Sequence, residues 1–251
     1  MANVADEVTH RLLAGAGIAA GQRVLDVGCG QGLVTFMLAE ILGENGEVTG
    51  VDRDPTQLAL AEARKRELGL SNVAFLEGDL IPPSREAGPF DAAVARRVLM
   101  YQPDRVHALQ RVARAVRPGG VIAFQEHDST NGPSLAASLP LHAEAHRWVW
   151  ETVRREGADT TMGSNLHAVL RQAGLEVLDV RAEAILLTPM TDYPVAHIVQ
   201  AMRDRILRAE VATEAELGLD TLEERLRQEL RQQERTCVWD MAYLGWARKP
   251  A

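Results

Sequence analysis

Hydrophobic positions in the first half of the chain switch regularly between two periods. Val4, Val8 and Leu12 recur at four-residue spacing and predict an amphipathic helix over residues 1–20. Arg23 to Gly28 then reads as a short buried strand ending in glycine, and Leu33 to Leu42 returns to helical spacing. Glu47 to Asp52 reads as a second strand. Asp54 followed by Pro55 is a helix N-cap with proline in the first turn, and Gly69 stops that helix after Leu68. Asn72 to Asp79, Phe90 to Val98 and Val121 to Glu126 read as strands three to five. A helix over Pro103 to Val116, closed by Arg117-Pro-Gly-Gly120, precedes the fifth. Alternation of strand and helix from residue 21 to 126 predicts an α/β fold, a mostly parallel sheet with helices on both faces.

The pattern changes after residue 128. Residues 133–156 read as a helix carrying Trp148 and Trp150, and Gly163 to Ala173 as a short helix stopped by Gly174. Leu175 to Leu187 reads as a long strand, 192–234 as helical and rich in Arg and Glu, and Thr236 to Arg248 as a last, antiparallel strand. The expected organisation is an N-terminal cap helix over 1–20, a core over 21–128 and a helical cap insertion over 129–162. Residues 163–251 then return to the core and carry a helical insertion over 192–234. The Arg/Glu run from Arg203 to Arg235 reads as solvated helix faces with i,i+4 pairs, or as the surface of a homodimer.

The loop Asp26-Val-Gly28-Cys29-Gly30-Gln31-Gly32 adds chemistry to this pattern. Glycines let the backbone turn tightly and approach a ligand closely, and the following helix presents unpaired N–H groups. Asp52 ends the next strand, where a carboxylate can accept both hydroxyls of a ribose. The spacing is G-x-G-x-G, because Leu33 follows Gly32, so the dinucleotide fingerprint is incomplete. Asp26 would repel a pyrophosphate but favour a cationic ligand. S-adenosylmethionine (SAM), with its sulfonium and amino group, fits that charge better than NAD.

These residues resemble a known family. Val24 to Gly32 is similar to motif I of the class I SAM-dependent methyltransferases, whose fold is a Rossmann-like seven-stranded sheet. Val51 to Asp54 resembles its acidic second motif, Glu77-Gly78-Asp79-Leu80 its adenine loop, and Phe90 to Leu99 its strand-four motif. Arg117 to Gly120 and Gly163 to Leu175 resemble two later turns. The resemblance implies SAM as cofactor, held by Asp26, Gly28, Cys29, Gly30, Gln31 and Gly32 around its methionine end. It implies Asp52 on the ribose, and Arg53, Gly78, Asp79 and Leu80 around the adenine. Arg96 falls where the family's main chain meets the SAM amino group. An Asn/Asp-Pro-Pro-Tyr sequence after strand four marks enzymes acting on nucleic-acid bases or amides; this chain has Ala95 to Tyr101 without it, which points to a small, biosynthetic acceptor.

Composition narrows the partners. The 251 residues carry a net charge of -8, which disfavours nucleic acid. Cys29 and Cys237 are no disulfide framework, and no apolar run reaches the roughly 20 residues that span a bilayer. The start of the chain, with Asp6 and Glu7, lacks the apolar stretch of a signal peptide, so a cytoplasmic protein is expected. Tyr101, Glu126 and His127 lie at carboxyl ends of strands, where ligands bind in open α/β sheets. His127 is the candidate general base, and His146, Trp150 and His197 are candidate acceptor contacts. His142 and His146 share a helix face, but no third ligand of known spacing accompanies them, so no metal is expected. Two alternatives share these residues: a SAM-binding enzyme of cyclisation or rearrangement, and an NAD-dependent oxidoreductase.

Overall fold

Strand β1 (Arg23–Val27) is apolar except for Arg23 and Asp26, and only a central strand buries such a run on both faces. It pairs in parallel with β2 (Glu47–Asp52), from Arg23 opposite Glu47 to Val27 opposite Val51. On its other side it pairs in parallel with β4 (Phe90–Arg96). β3 (Val73–Glu77) continues beyond β2, and β5 (Val116–Asp128) pairs in parallel with β4. β6 (Glu176–Leu187) and β7 (Cys237–Arg248) complete a seven-stranded sheet of order β3-β2-β1-β4-β5-β7-β6. The computed structural model describes residues 4–82, 89–130, 137–190, 194–233 and 236–251. Parts of the expected helices, at 1–3, 133–136, 192–193 and 234, lie outside the described residues.

Helices α1 (Val4–Gly15), α2 (Leu33–Leu42), α3 (Pro55–Leu68) and α4 (Arg105–Ala115) are built as their local signals direct. Asp54 and Asp104 cap α3 and α4 with their carboxylates, and Gly69 closes α3 in the left-handed conformation. Right-handed crossovers put α2 and α3 on one face of the sheet, because β1 to β2 to β3 moves in one direction. β4 to β5 moves the opposite way, so α4 covers the other face. The order reverses between β1 and β4, and there the loops leaving the carboxyl ends diverge and open a crevice.

One boundary differs from the sequence expectation. Arg117-Pro-Gly-Gly120 does not separate α4 from a strand starting at Val121. β5 already begins at Val116 and contains those residues as an excursion, with Phe90 opposite Val116 and Ala92 opposite Val121. Lys249 pins the excursion: Gly119 N–H donates to its carbonyl at 2.9 Å, and its Nζ donates to the Val116 carbonyl at 2.7 Å. A Cβ on Gly120 would stand 2.6 Å from the Asp91 carbonyl oxygen, so a side chain is excluded there.

The chain divides into two compact units. A core unit comprises residues 8–126, 164–181 and 243–251, and includes α6 (Met162–Gln172) from Ser164 onward. A helical unit comprises residues 1–7, 127–163 and 182–242. It contains α5 (Pro140–Arg155), α7 (Val195–Arg208), α8 (Glu214–Leu217) and α9 (Leu219–Gln233). α5, α7 and α9 pack on one another, and Ala145, Val149, Val199, Ile206, Leu222 and Leu226 on them are buried. Most of α1 groups with the core unit, not with the helical unit as the expected cap assignment of 1–20 has it. Exposed pairs such as Glu223–Arg227 at 2.7 Å line α9, as its charge pattern predicts. Among the described residues no helix is long and apolar enough to cross a membrane.

Candidate active site

The core unit's site starts where β1 ends. Gly28, Gly30 and Gly32 take φ values of 65°, 53° and 84°, a region that L side chains rarely adopt. At Gly28 a Cβ would lie 2.6 Å from Val98 Cγ2, so the loop can pass under the segment after β4 only as glycine. Gly32 is the N-cap residue of α2, and its N–H donates to the Cys29 carbonyl at 2.9 Å. The outer side of the loop is formed by Gly28, Gly30 and Gln31, while Cys29 turns inward. Cys29 N–H donates to the Val51 carbonyl, and burial, with the nearby Asp26 and Asp52 charges, pushes its thiol well above the ordinary range. Cys29 thus serves the loop through its backbone and its packing, with a thiol held protonated.

Asp52 is fixed from two sides. Gly30 N–H donates to its Oδ2 at 2.8 Å and Asp54 N–H to its Oδ1 at 2.9 Å. Each carboxylate oxygen keeps lone-pair capacity, and the side chain is half-buried, so two neighbouring hydroxyl donors can be received together. Arg53 beside it is exposed. The Asp52 carbonyl accepts from Gly78 N–H at 3.0 Å, which ties the loop after β3 to the end of β2. In that loop Asp79 is exposed and held by Arg111, whose Nη1 donates to Oδ2 and Nη2 to the main-chain carbonyl, both at 2.6 Å. Leu80 is buried with φ 69°, a conformation that costs a non-glycine residue about 1–3 kcal/mol and clusters at ligand sites.

On the other side of the loop lies a buried polar chain. Asp26 is 1% exposed and accepts from the Thr35 hydroxyl at 2.5 Å. Burial pushes its carboxyl up to about 7, opposed by the Thr35 bond and the Arg96 charge. Arg96 Nη1 donates to Thr9 Oγ1 at 3.2 Å, and the Thr9 hydroxyl donates to Gln125 Oε1 at 2.8 Å. The Arg96 guanidinium is therefore engaged with α1. Thr9 and Gln125 were missed by the sequence reading, since each sits inside an ordinary apolar pattern. Glu126 is fully buried, and its carboxylate accepts from Val98 and Leu99 N–H at 2.9 and 2.7 Å and from Met100 N–H at 3.4 Å. It caps the 3-10 turn Leu99–Tyr101, which leaves the Tyr101 side chain partly exposed.

The remaining acceptor candidates belong to the helical unit. His127 and Asp240 are both buried, with Nδ1 and Oδ2 2.6 Å apart. His146 packs edge-on against Trp239, ring centroids 5.1 Å apart, and tilted against Trp150 at 6.1 Å. His142, one turn before His146, is taken up by Glu229: Nδ1 lies 2.6 Å from Oε2, and Glu229 also accepts from Leu141 and His142 N–H. His197 is exposed on α7. No motif announced Asp240 or Trp239. Only the alternation of β7 could have shown that one of the two would face His127. Among the described residues no group of three or more His, Cys, Asp or Glu is arranged to hold a metal ion.

Comparison with known proteins places this architecture. The SpnF [4+2]-cyclase shares the fold at TM-score 0.61 and 24% identity, over 98% of this chain and 82% of that one. The chain is 38% identical over 104 residues, 41% of its length, to the aklanonic acid methyltransferase DauC of Streptomyces sp. (strain C5). It is 34% identical over 175 residues, 64% of its length, to the demethylmenaquinone methyltransferase of Bacillus cytotoxicus. It spans about half the length of the former, 47%, and 73% of the latter. The model of the methyltransferase domain family matches residues 18–174, which include the glycine loop, Asp52, Asp79 and the strand-four segment. The chain belongs to that family, the class I SAM-dependent methyltransferases.

Proposed function

We propose that this protein transfers a methyl group from SAM to an oxygen, nitrogen or carbon atom of a small-molecule acceptor. The observation that carries the reading is Asp52, pre-oriented by the Gly30 and Asp54 N–H groups beside a glycine loop that tolerates no Cβ at Gly28. The residues fit SAM. Asp52 receives the ribose hydroxyls, and the loop Gly78 to Leu80 borders the adenine. Gly28 and Gly30 bring bare main chain to the methionine end. Asp26 beneath them is a carboxyl that a neighbouring ammonium stabilises in its charged form, whereas a pyrophosphate would be repelled. SAM, when bound, supplies an electrophilic methyl group on a sulfonium. The chain's own work is then positioning, which accounts for much of the rate of such displacements. Glu126 positions the turn that carries Tyr101. For an acceptor that must lose a proton, His127, paired through Nδ1 with Asp240, is the candidate base. The relatives named above act, by their names, on small molecules, in support of a small-molecule acceptor.

Calorimetric titration with S-adenosylhomocysteine (SAH), the demethylated product, tests the cofactor half. Binding is expected at micromolar concentration, and its absence overturns the reading. Incubation with isotopically labelled SAM and a panel of small acceptors tests the transfer. SAH binding without any movement of label would assign the protein to SAM-supported cyclisation or rearrangement instead.

A further inference from the structure

Within the helical unit one polar atom stands out. Nε2 of His146 is buried and has no hydrogen-bond partner, in a residue that is itself 4% exposed. Leaving such an atom unpaired costs stability, and native interiors keep few of them without a reason. Its surroundings are chemically specific. Its ring packs against Trp239 and Trp150, and the buried Asp240 carboxylate contributes negative charge nearby. Burial pushes the His146 imidazole below its ordinary range, more than Asp240 raises it, so the ring is neutral at pH 7.

Resting on the reading of this chain as a methyltransferase, we infer that His146 Nε2 is the hydrogen-bond partner of a neutral, hydroxyl-bearing aromatic acceptor held against Trp150 and Trp239. The chemistry selects this class in three ways. A neutral imidazole bonds a hydroxyl without needing a charge on it. The buried Asp240 carboxylate opposes an anionic ligand, and burial costs an ion of either sign its hydration. The two neighbouring tryptophan rings favour an aromatic ligand, and pairing a hydroxyl on His146 relieves the buried orphan.

A charge series on one ring tests this. Full-length protein saturated with SAH is titrated by tryptophan fluorescence with 2-naphthol, naphthalene-2-carboxylate and 2-naphthylmethylammonium. The expected result is that 2-naphthol binds about tenfold tighter than either ion, and that His146→Phe removes about fivefold of its affinity while SAH binding is unchanged. Equal or tighter binding of the carboxylate or the ammonium overturns the inference, and so does a folded His146→Phe variant with wild-type affinity for 2-naphthol. The series on the wild-type protein stands even if the variant fails to fold. The SAH titration is read separately. Failure of SAH to bind sinks the methyltransferase reading together with the inference, whereas SAH binding without preference for the phenol sinks the inference alone.

Discussion

The core unit and the helical unit organise polar groups in opposite ways. In the core unit two of the site's carboxylates are held by backbone N–H groups alone: Asp52 by Gly30 and Asp54, Glu126 by Val98, Leu99 and Met100. In the helical unit the characteristic contacts run from side chain to side chain, His127 to Asp240, His142 to Glu229, His146 to two tryptophans. A backbone-built site is tied to the conformation of the chain and changes little when side chains change. A site built from side chains can be rebuilt one residue at a time. The contrast suits a cofactor that is constant across a family and an acceptor that is not.

The largest effect that can break this contrast is expected at Gly28. Gly28→Ala adds a methyl group 2.6 Å from Val98 Cγ2 in a left-handed conformation. Overpacking costs about 1–3 kcal/mol and the conformation about 1–2 kcal/mol more, so urea denaturation should show a loss of about 2–5 kcal/mol. Adding Val98→Ala should restore the packing share and not the conformational share. Recovery of full stability in the double variant would show that the backbone does not dictate this loop.

Next comes Asp52. Asp52→Ala removes the proposed acceptor for two ribose hydroxyls, and hydrogen bonds to charged groups are worth about 1.5–3 kcal/mol. SAH affinity should fall by about 10- to 100-fold in calorimetry. A smaller loss would move the ribose contact elsewhere.

Glu126 sharpens the comparison through pH. Burial raises its carboxyl from 4.5 to about 7, so the folded protein holds that proton more tightly than the unfolded chain. The stability that this group contributes is present below its ordinary value and is lost as pH rises to about 7 and above. Glu126→Gln cannot ionise. The melting temperature of the wild type relative to this variant should therefore fall across that window, and a difference independent of pH would refute the assignment.

The smallest effect is expected at Arg111. Its pair with Asp79 is exposed, and such pairs contribute about 0–1 kcal/mol. Arg111→Ala should leave stability within about 0.5 kcal/mol and weaken SAH binding no more than about threefold, by loosening the loop that carries Asp79.

The sequence was legible where structure follows from local rules. The glycine loop, Asp52 and the caps at Asp54 and Gly69 are written in consecutive residues, and the elements from β1 to α4 lie within a few residues of their predicted bounds. Arg117–Gly120 misled because Pro-Gly-Gly normally ends an element, whereas here Lys249, 129 positions beyond Gly120, holds it inside a strand. Thr9, Gln125, Trp239 and Asp240 were invisible for the same reason. Their partners are distant in the chain: 116 positions separate Thr9 from Gln125, and 113 separate His127 from Asp240. Glu126 was placed at the right strand end but assigned to the acceptor, because sequence gives a position on a strand and not the direction of a carboxylate.

The end of β5 also bears on how such a protein can diverge. Gln125, Glu126 and His127 are successive residues on one strand, so their side chains alternate between its two sides. Gln125 is bound to α1, Glu126 to the turn after β4, and His127 to Asp240. Alternation along a single strand thus sets the task of Glu126 apart from those of Gln125 and His127, three tasks within three codons. Point replacement at one position leaves its neighbours' duties intact, whereas a one-residue insertion ahead of them would invert all three at once. Drift at this strand end should therefore proceed by substitution and never by a change of length.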